Sequence, residues 1–154
     1  MTLQEWEALA FAAELKIPGR EGYAYDVRKG QYLGFGSQFK LHLVPGEGSL
    51  IAFLPYRVEQ LQVELPAAAK PGDSVPIQVT LKGSSADIGQ HVFLMTVQKP
   101  DGNNSLEYRK IQNSSDGRHS FTIPYALNDP KGKWLIGIQD GASGILTKKT
   151  IELK

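Results

Sequence analysis

The sequence predicts an all-β chain: a small antiparallel β unit followed by an immunoglobulin-like β-sandwich, with one short N-terminal helix. Three observations predict it. From Gly22 onward apolar and polar residues alternate in short runs, the two-residue period of half-buried strands rather than the 3.6-residue period of helices. Turn residues cut those runs at Lys99-Pro100-Asp101-Gly102, Asp116-Gly117, Asn128-Asp129-Pro130-Lys131-Gly132 and Asp140-Gly141, the punctuation of an antiparallel sandwich. No helical pattern lies between the strands, which excludes a parallel β/α architecture.

Residues 1–18 are the expected helix. Thr2 and Glu5 fit a capping box, Leu3, Trp6, Leu9, Ala10 and Ala13 recur at helical spacing, and Pro18-Gly19 ends the pattern. Residues 19–56 are the expected small β unit. Tyr23, Tyr25 and Val27 alternate with Ala24, Asp26 and Arg28, then Lys29-Gly30 turns the chain into Gln31 to Gly34. Phe39, Leu41 and Leu43 alternate with Lys40 and His42, and Leu50 to Leu54 form an apolar strand after the turn at Pro45 to Gly48.

Residues 57–154 are the expected sandwich. Val58, Leu61 and Val63 precede a turn-rich stretch, Pro66 to Asp73, which leads into the alternating strand Val75-Ile77-Val79-Leu81. Phe93-Met95-Val97, Leu106-Tyr108, Phe121-Ile123, Trp134-Ile136-Ile138 and Leu146 to Leu153 complete about seven strands, the number in an immunoglobulin-like sandwich. Trp134 shares its phase with Ile136 and Ile138, which predicts a core position.

Bulk properties narrow the chemistry. A chain of 154 residues buries about 70% of its unfolded surface without staples. With no cysteine, thiol nucleophiles, thiolate metal sites and disulfides are excluded, while the compartment stays open. Lys and Arg exceed Asp and Glu by one charge, and the charges are scattered, so neither nucleic acid nor an anionic membrane is an expected partner. Met1 to Glu5 has no basic n-region of a secretory signal, and no apolar run reaches membrane-spanning length.

Candidate chemistry is sparse. His42, His91 and His119 are far apart and fit no H-x-x-x-H or H-E-x-x-H spacing, so no metal and no cofactor is expected; His91, at the start of a strand, reads as a hydrogen-bonded structural histidine. No G-x-S-x-G elbow is present. Paired carboxylates would serve a glycosidase, but Asp101, Asp116, Asp129 and Asp140 sit at turns, where aspartate caps the local backbone. Asp26, mid-strand, is expected to pair with Arg28 or Lys29. No catalytic residue is therefore assigned. Exposed aromatic side chains stack sugar rings, and Tyr56 and Tyr108 are the two selected as binding candidates by expected partial exposure, Tyr108 because it is flanked by Glu107 and Arg109.

Tyr25-Asp26-Val27-Arg28, Gly30, Tyr32-Leu33-Gly34 and Ala52-Phe53-Leu54-Pro55-Tyr56-Arg57-Val58 together resemble the C-terminal β region of bacterial β-galactosidase-like glycoside hydrolases of the trimerisation-domain type. Gly89-Gln90-His91-Val92, Pro100-Asp101-Gly102, Ile123 to Asp129 and Gly132-Lys133-Trp134 fit the immunoglobulin-like module that follows in such proteins. The resemblance implies a non-catalytic accessory region of a carbohydrate-active enzyme, with the upstream catalytic domain of a larger, secreted or periplasmic bacterial protein as its partner. It brings no catalytic residue, because the motifs are turns and strand edges. The competing expectation is an autonomous glycan-binding or protein-binding adhesion module, for which carbohydrate is the candidate ligand.

Overall fold

The structure, a computed structural model, describes residues 8–154. The chain divides into two compact units: one runs up to Arg57 and takes in Ala142–Gly144, and the other comprises Val58–Gly141 and Ile145–Lys154. Among the described residues every regular element is a strand.

The first unit holds a two-stranded ladder and a three-stranded sheet. The ladder pairs β1 (Phe11–Lys16) with β4 (Gln38–Leu43), antiparallel, with Ala13 opposite Leu41 and Leu15 opposite Phe39. The expected N-terminal helix is therefore corrected over its second half, while Thr2, Glu5 and Trp6 lie outside the described residues. Ala12-Ala13-Glu14-Leu15 favours a helix by only a few tenths of a kcal/mol per residue. Pairing with β4 half-buries Ala13 and Leu15 on one face, and packing of that kind overrides so small a preference.

The sheet has the order β3-β2-β5, with β2 (Gly22–Asp26) between β3 (Gln31–Gly36) and β5 (Ile51–Leu54). β2 turns into β3 through Val27-Arg28-Lys29-Gly30. The Lys29 N–H donates to Asp26 Oδ1 at 3.1 Å, and Gly30 adopts φ +58°, a left-handed conformation that side chains resist. One face of β2 carries Ala24, fully buried opposite Phe53. Phe53 meets Phe39 edge-on at 6.2 Å between centroids, which joins the ladder to the sheet.

The second unit is a sandwich of two layers, antiparallel in every pairing except that of the two-residue strand Ala68–Ala69. One contains β6 (Val58–Glu64), β8 (Ser74–Gly83) and β11 (Arg118–Pro124), in the order β11-β8-β6. The other has the order β10-β9-β12-β13-β7, built from β7 (Ala68–Ala69), β9 (His91–Gln98), β10 (Asn104–Ser114), β12 (Gly132–Asp140) and β13 (Leu146–Leu153). Strands alternating between the layers in this way make the Greek-key wiring of an immunoglobulin-like sandwich. The two-residue β7 pairs parallel with the end of β13.

The core follows from the alternation. Val75, Ile77, Val79 and Leu81 of β8 are buried, as are Phe93, Met95 and Val97 of β9, Phe121 and Ile123 of β11, and Trp134, Ile136 and Ile138 of β12. Each such side chain contributes about 1.5–3 kcal/mol. Gly117 closes the β10–β11 turn at φ +74°, where a Cβ would stand 2.5 Å from the Ile88 side chain. Both the backbone angle and the space reserve that position for glycine.

Candidate functional site

The first unit carries a partly exposed aromatic face. Tyr23 and Tyr25 lie on the side of β2 opposite Ala24, paired with Phe35 and Tyr32 of β3 respectively. Tyr32 and Phe35 are three residues apart, so simple alternation would send them to opposite faces. A bulge in β3 at Leu33-Gly34 supplies the extra residue that turns both to the same side. Gly34, at φ +128°, makes this bend possible.

The rings touch as a continuous surface. Tyr23 and Phe35 are 4.8 Å apart, Tyr25 and Tyr32 5.3 Å, and Tyr23 and Tyr32 6.4 Å between centroids. The Arg57 guanidinium stands over the Tyr32 ring at 5.2 Å, a cation–π contact. Tyr25 is buried, but Tyr32 is 38% and Phe35 58% exposed, which leaves aromatic surface open to solvent. Rings exposed in this way can take the C–H face of a sugar, whose partial positive charge complements the ring quadrupole.

The two tyrosines selected from the sequence are not on this surface. Tyr56 is only 4% and Tyr108 only 8% exposed, so the expected partial exposure is corrected for both. For Tyr108 the cause is a register shift in β10 between Ser105 and Lys110. It brings the ring inward, within 5.7 Å of Tyr125 and 6.0 Å of Trp134, while Leu106 stays exposed. The Tyr108 hydroxyl donates to Asp129 Oδ2 and accepts from the Ala126 N–H. Burial and then the bond to Asp129 raise its pKa. Beside it, the Tyr125 hydroxyl is buried with no hydrogen-bond partner among the described residues, and burial, followed by the charge of Asp129, pushes its pKa well above the ordinary phenol value.

Turn carboxylates are engaged locally. Asp101 accepts the Asn103 N–H at 2.9 Å, Asp116 that of Arg118 at 3.0 Å, Asp73 that of Lys70 at 2.8 Å, and Asp129 that of Ala126 at 2.7 Å. The bonds from Asn103 hold the Asp101 carboxyl below its ordinary pKa. Asp26 pairs with Lys29, as expected, through the backbone bond and an ammonium 3.9 Å from its carboxylate. Asp140 departs from the turn reading: it is fully buried at the end of β12 and its Oδ1 lies 2.6 Å from Nδ1 of His91. His91 is thus a hydrogen-bonded histidine inside the second unit. His42 is exposed, and His119 rests edge-on against Phe121 at 4.6 Å.

No protein-family model and no curated protein sequence matches this chain. Solved structures with some likeness include a superoxide reductase (neelaredoxin) from Ignicoccus hospitalis, at 9% identity and TM-score 0.45, over 63% of this chain and 82% of that one. A β-glucosidase from Listeria innocua in complex with glucose shares 18% identity at TM-score 0.45, over 64% of this chain and 16% of the glucosidase. Salmonella α-2-macroglobulin reacted with methylamine shares 11% identity at TM-score 0.46, over 94% of this chain and 15% of the macroglobulin. This chain thus spans a small fraction of the glucosidase and of the macroglobulin, and at these values the likenesses bear on neither activity nor ligand.

Proposed function

We propose that this chain is a non-catalytic accessory β region of a bacterial carbohydrate-active protein, and that it acts by holding a glycan rather than by transforming one. The observation that carries this reading is the aromatic face of β2 and β3, where Tyr23, Tyr32 and Phe35 adjoin with Arg57 over Tyr32. Exposed rings cost solvation free energy unless something covers them, and a pyranose face is the cover that fits rings bordered by hydroxyls and a guanidinium. The turn carboxylates support the same reading, because each is already committed to a backbone N–H. The hairpin that bears the aromatic face also carries the residues, Tyr25 to Gly34, that resemble the accessory region of β-galactosidase-like proteins.

The test has two arms. The purified chain should be retarded in native gels containing a polysaccharide, and it should leave aryl glycosides and polysaccharides intact. Absence of retardation across neutral and acidic polysaccharides would overturn the binding reading, and turnover abolished by changing a single aspartate would overturn the non-catalytic one. In the larger protein that the reading implies, deleting this chain should depress action on polymers and spare action on small soluble glycosides.

A further inference from the structure

A second feature of the first unit lies around the β2–β3 turn. Alternation along β2 puts Asp26 on the side of Ala24, away from the aromatic rings. There Asp26, Arg28, Lys29, His42, Val44 and Glu47 line a pocket of about 300 Å³, closed by Gly48 and Ser49. That is the lower end of the size range of small-ligand sites.

The charges in this pocket differ in how they are satisfied. The Lys29 ammonium donates to the His42 carbonyl at 3.1 Å and lies 3.9 Å from the carboxylate of Asp26, itself buried. This triad is fixed. Arg28, by contrast, makes no hydrogen bond or ion pair among the described residues. Its guanidinium faces Gly48, where even an added Cβ would come no nearer than 3.8 Å, so the backbone leaves that side of the fork uncrowded. Opposite charge is also present: the carboxylates of Asp26 and Glu47 line the same pocket.

We propose that this pocket binds a uronic acid residue of an acidic saccharide, with the sugar carboxylate on Arg28 and the ring hydroxyls on Glu47 and His42. A free guanidinium takes a carboxylate through two parallel N–H bonds. A carboxylate and an imidazole accept from hydroxyls. A phosphate carries negative charge on every side and would meet Asp26 and Glu47 as like charges, at a cost. A uronic acid presents its charge at one end and hydroxyls at the other, which matches the division within the pocket. The proposal rests on the glycan reading given above and names a ligand class for a site separate from the aromatic face.

The experiment is isothermal titration of the full 154-residue chain with a galacturonate or glucuronate disaccharide, with its neutral hexose counterpart, and with acetate and inorganic phosphate as separate titrants. The uronate disaccharide is expected to bind at least about tenfold more tightly than each of the other three, since tenfold is a difference of about 1.4 kcal/mol. Arg28→Gln should weaken uronate binding at least about tenfold, and Arg28→Lys, which keeps the charge but loses the fork, should fall between the two. Arg28 is exposed, so thermal unfolding of both variants should match the parent. Equal binding of uronate and neutral sugar, equal binding of acetate or phosphate, or unchanged uronate binding in Arg28→Gln would each overturn the proposal. Retention by neutral polysaccharides without uronate preference would overturn it while leaving the glycan reading intact.

Discussion

The two units use aromatic side chains in opposite ways. In the second, Trp134, Tyr108 and Tyr125 pack on one another inside the sandwich, with the Trp134 Nε1 proton given to the Pro130 carbonyl at 3.0 Å. In the first, Tyr23, Tyr32 and Phe35 pack on one another along a sheet face that water reaches. Enclosed rings stabilise a fold through the area they remove from water. Exposed rings contribute little to stability and retain that area for a ligand.

The largest contrast should appear in stability. Trp134→Ala should cost about 3–5 kcal/mol in denaturant unfolding, as expected for a fully buried large side chain, whereas Phe35→Ala should change stability by no more than about 0.5 kcal/mol, the usual range at an exposed site. Similar losses from both would erase the distinction between the units.

A smaller effect is expected at the buried pair of the second unit. Asp140→Ala removes the partner of His91 Nδ1 and leaves a buried donor without it, which should cost about 1–3 kcal/mol. A variant as stable as the parent would mean that the contact between the ends of β9 and β12 is incidental.

Two neighbouring tyrosines sharpen the point further. Tyr108→Phe breaks the bonds to Asp129 and Ala126 and should cost about 1 kcal/mol. Tyr125→Phe removes a buried hydroxyl that has no hydrogen-bond partner among the described residues and should leave stability unchanged or raise it. Both phenols have folded-state pKa values raised above the ordinary value of 10. The unfolded chain therefore releases these protons first, and their stabilisation is present below about pH 10 and declines as pH rises above it. Tyr125→Phe should flatten that alkaline decline in a series of unfolding measurements. An unchanged slope would contradict the assigned burial.

Much of the second unit was legible because β8, β9 and β12 carry their core residues at a two-residue period. Val75 to Leu81 alternate between core and more exposed positions as their side chains imply, and Trp134, Ile136 and Ile138 are all buried on the phase they share. The reading failed where the period breaks. The β3 bulge that aligns Tyr32 with Phe35 and the β10 shift that buries Tyr108 have no marker in composition beyond Gly34. Charged flanks at Glu107 and Arg109 suggested exposure for a residue that faces inward. Alanine-rich residues near the N-terminus suggested a helix where pairing with β4 makes a strand. Asp140 beside Gly141 looked like a turn cap, because a partner 49 positions away leaves no local signature.

The measurement that bears most directly on the glycan reading is a two-dimensional NMR spectrum of the aromatic side chains during titration with oligosaccharides that retain the chain in gels. Shifts should concentrate on Tyr23, Tyr32 and Phe35, with Trp134, Tyr108 and Tyr125 unmoved, and Tyr32→Ala together with Phe35→Ala should abolish binding while the fold persists. Shifts confined to the second unit, or binding undiminished in the double variant, would contradict the assignment of the exposed aromatic face as the site.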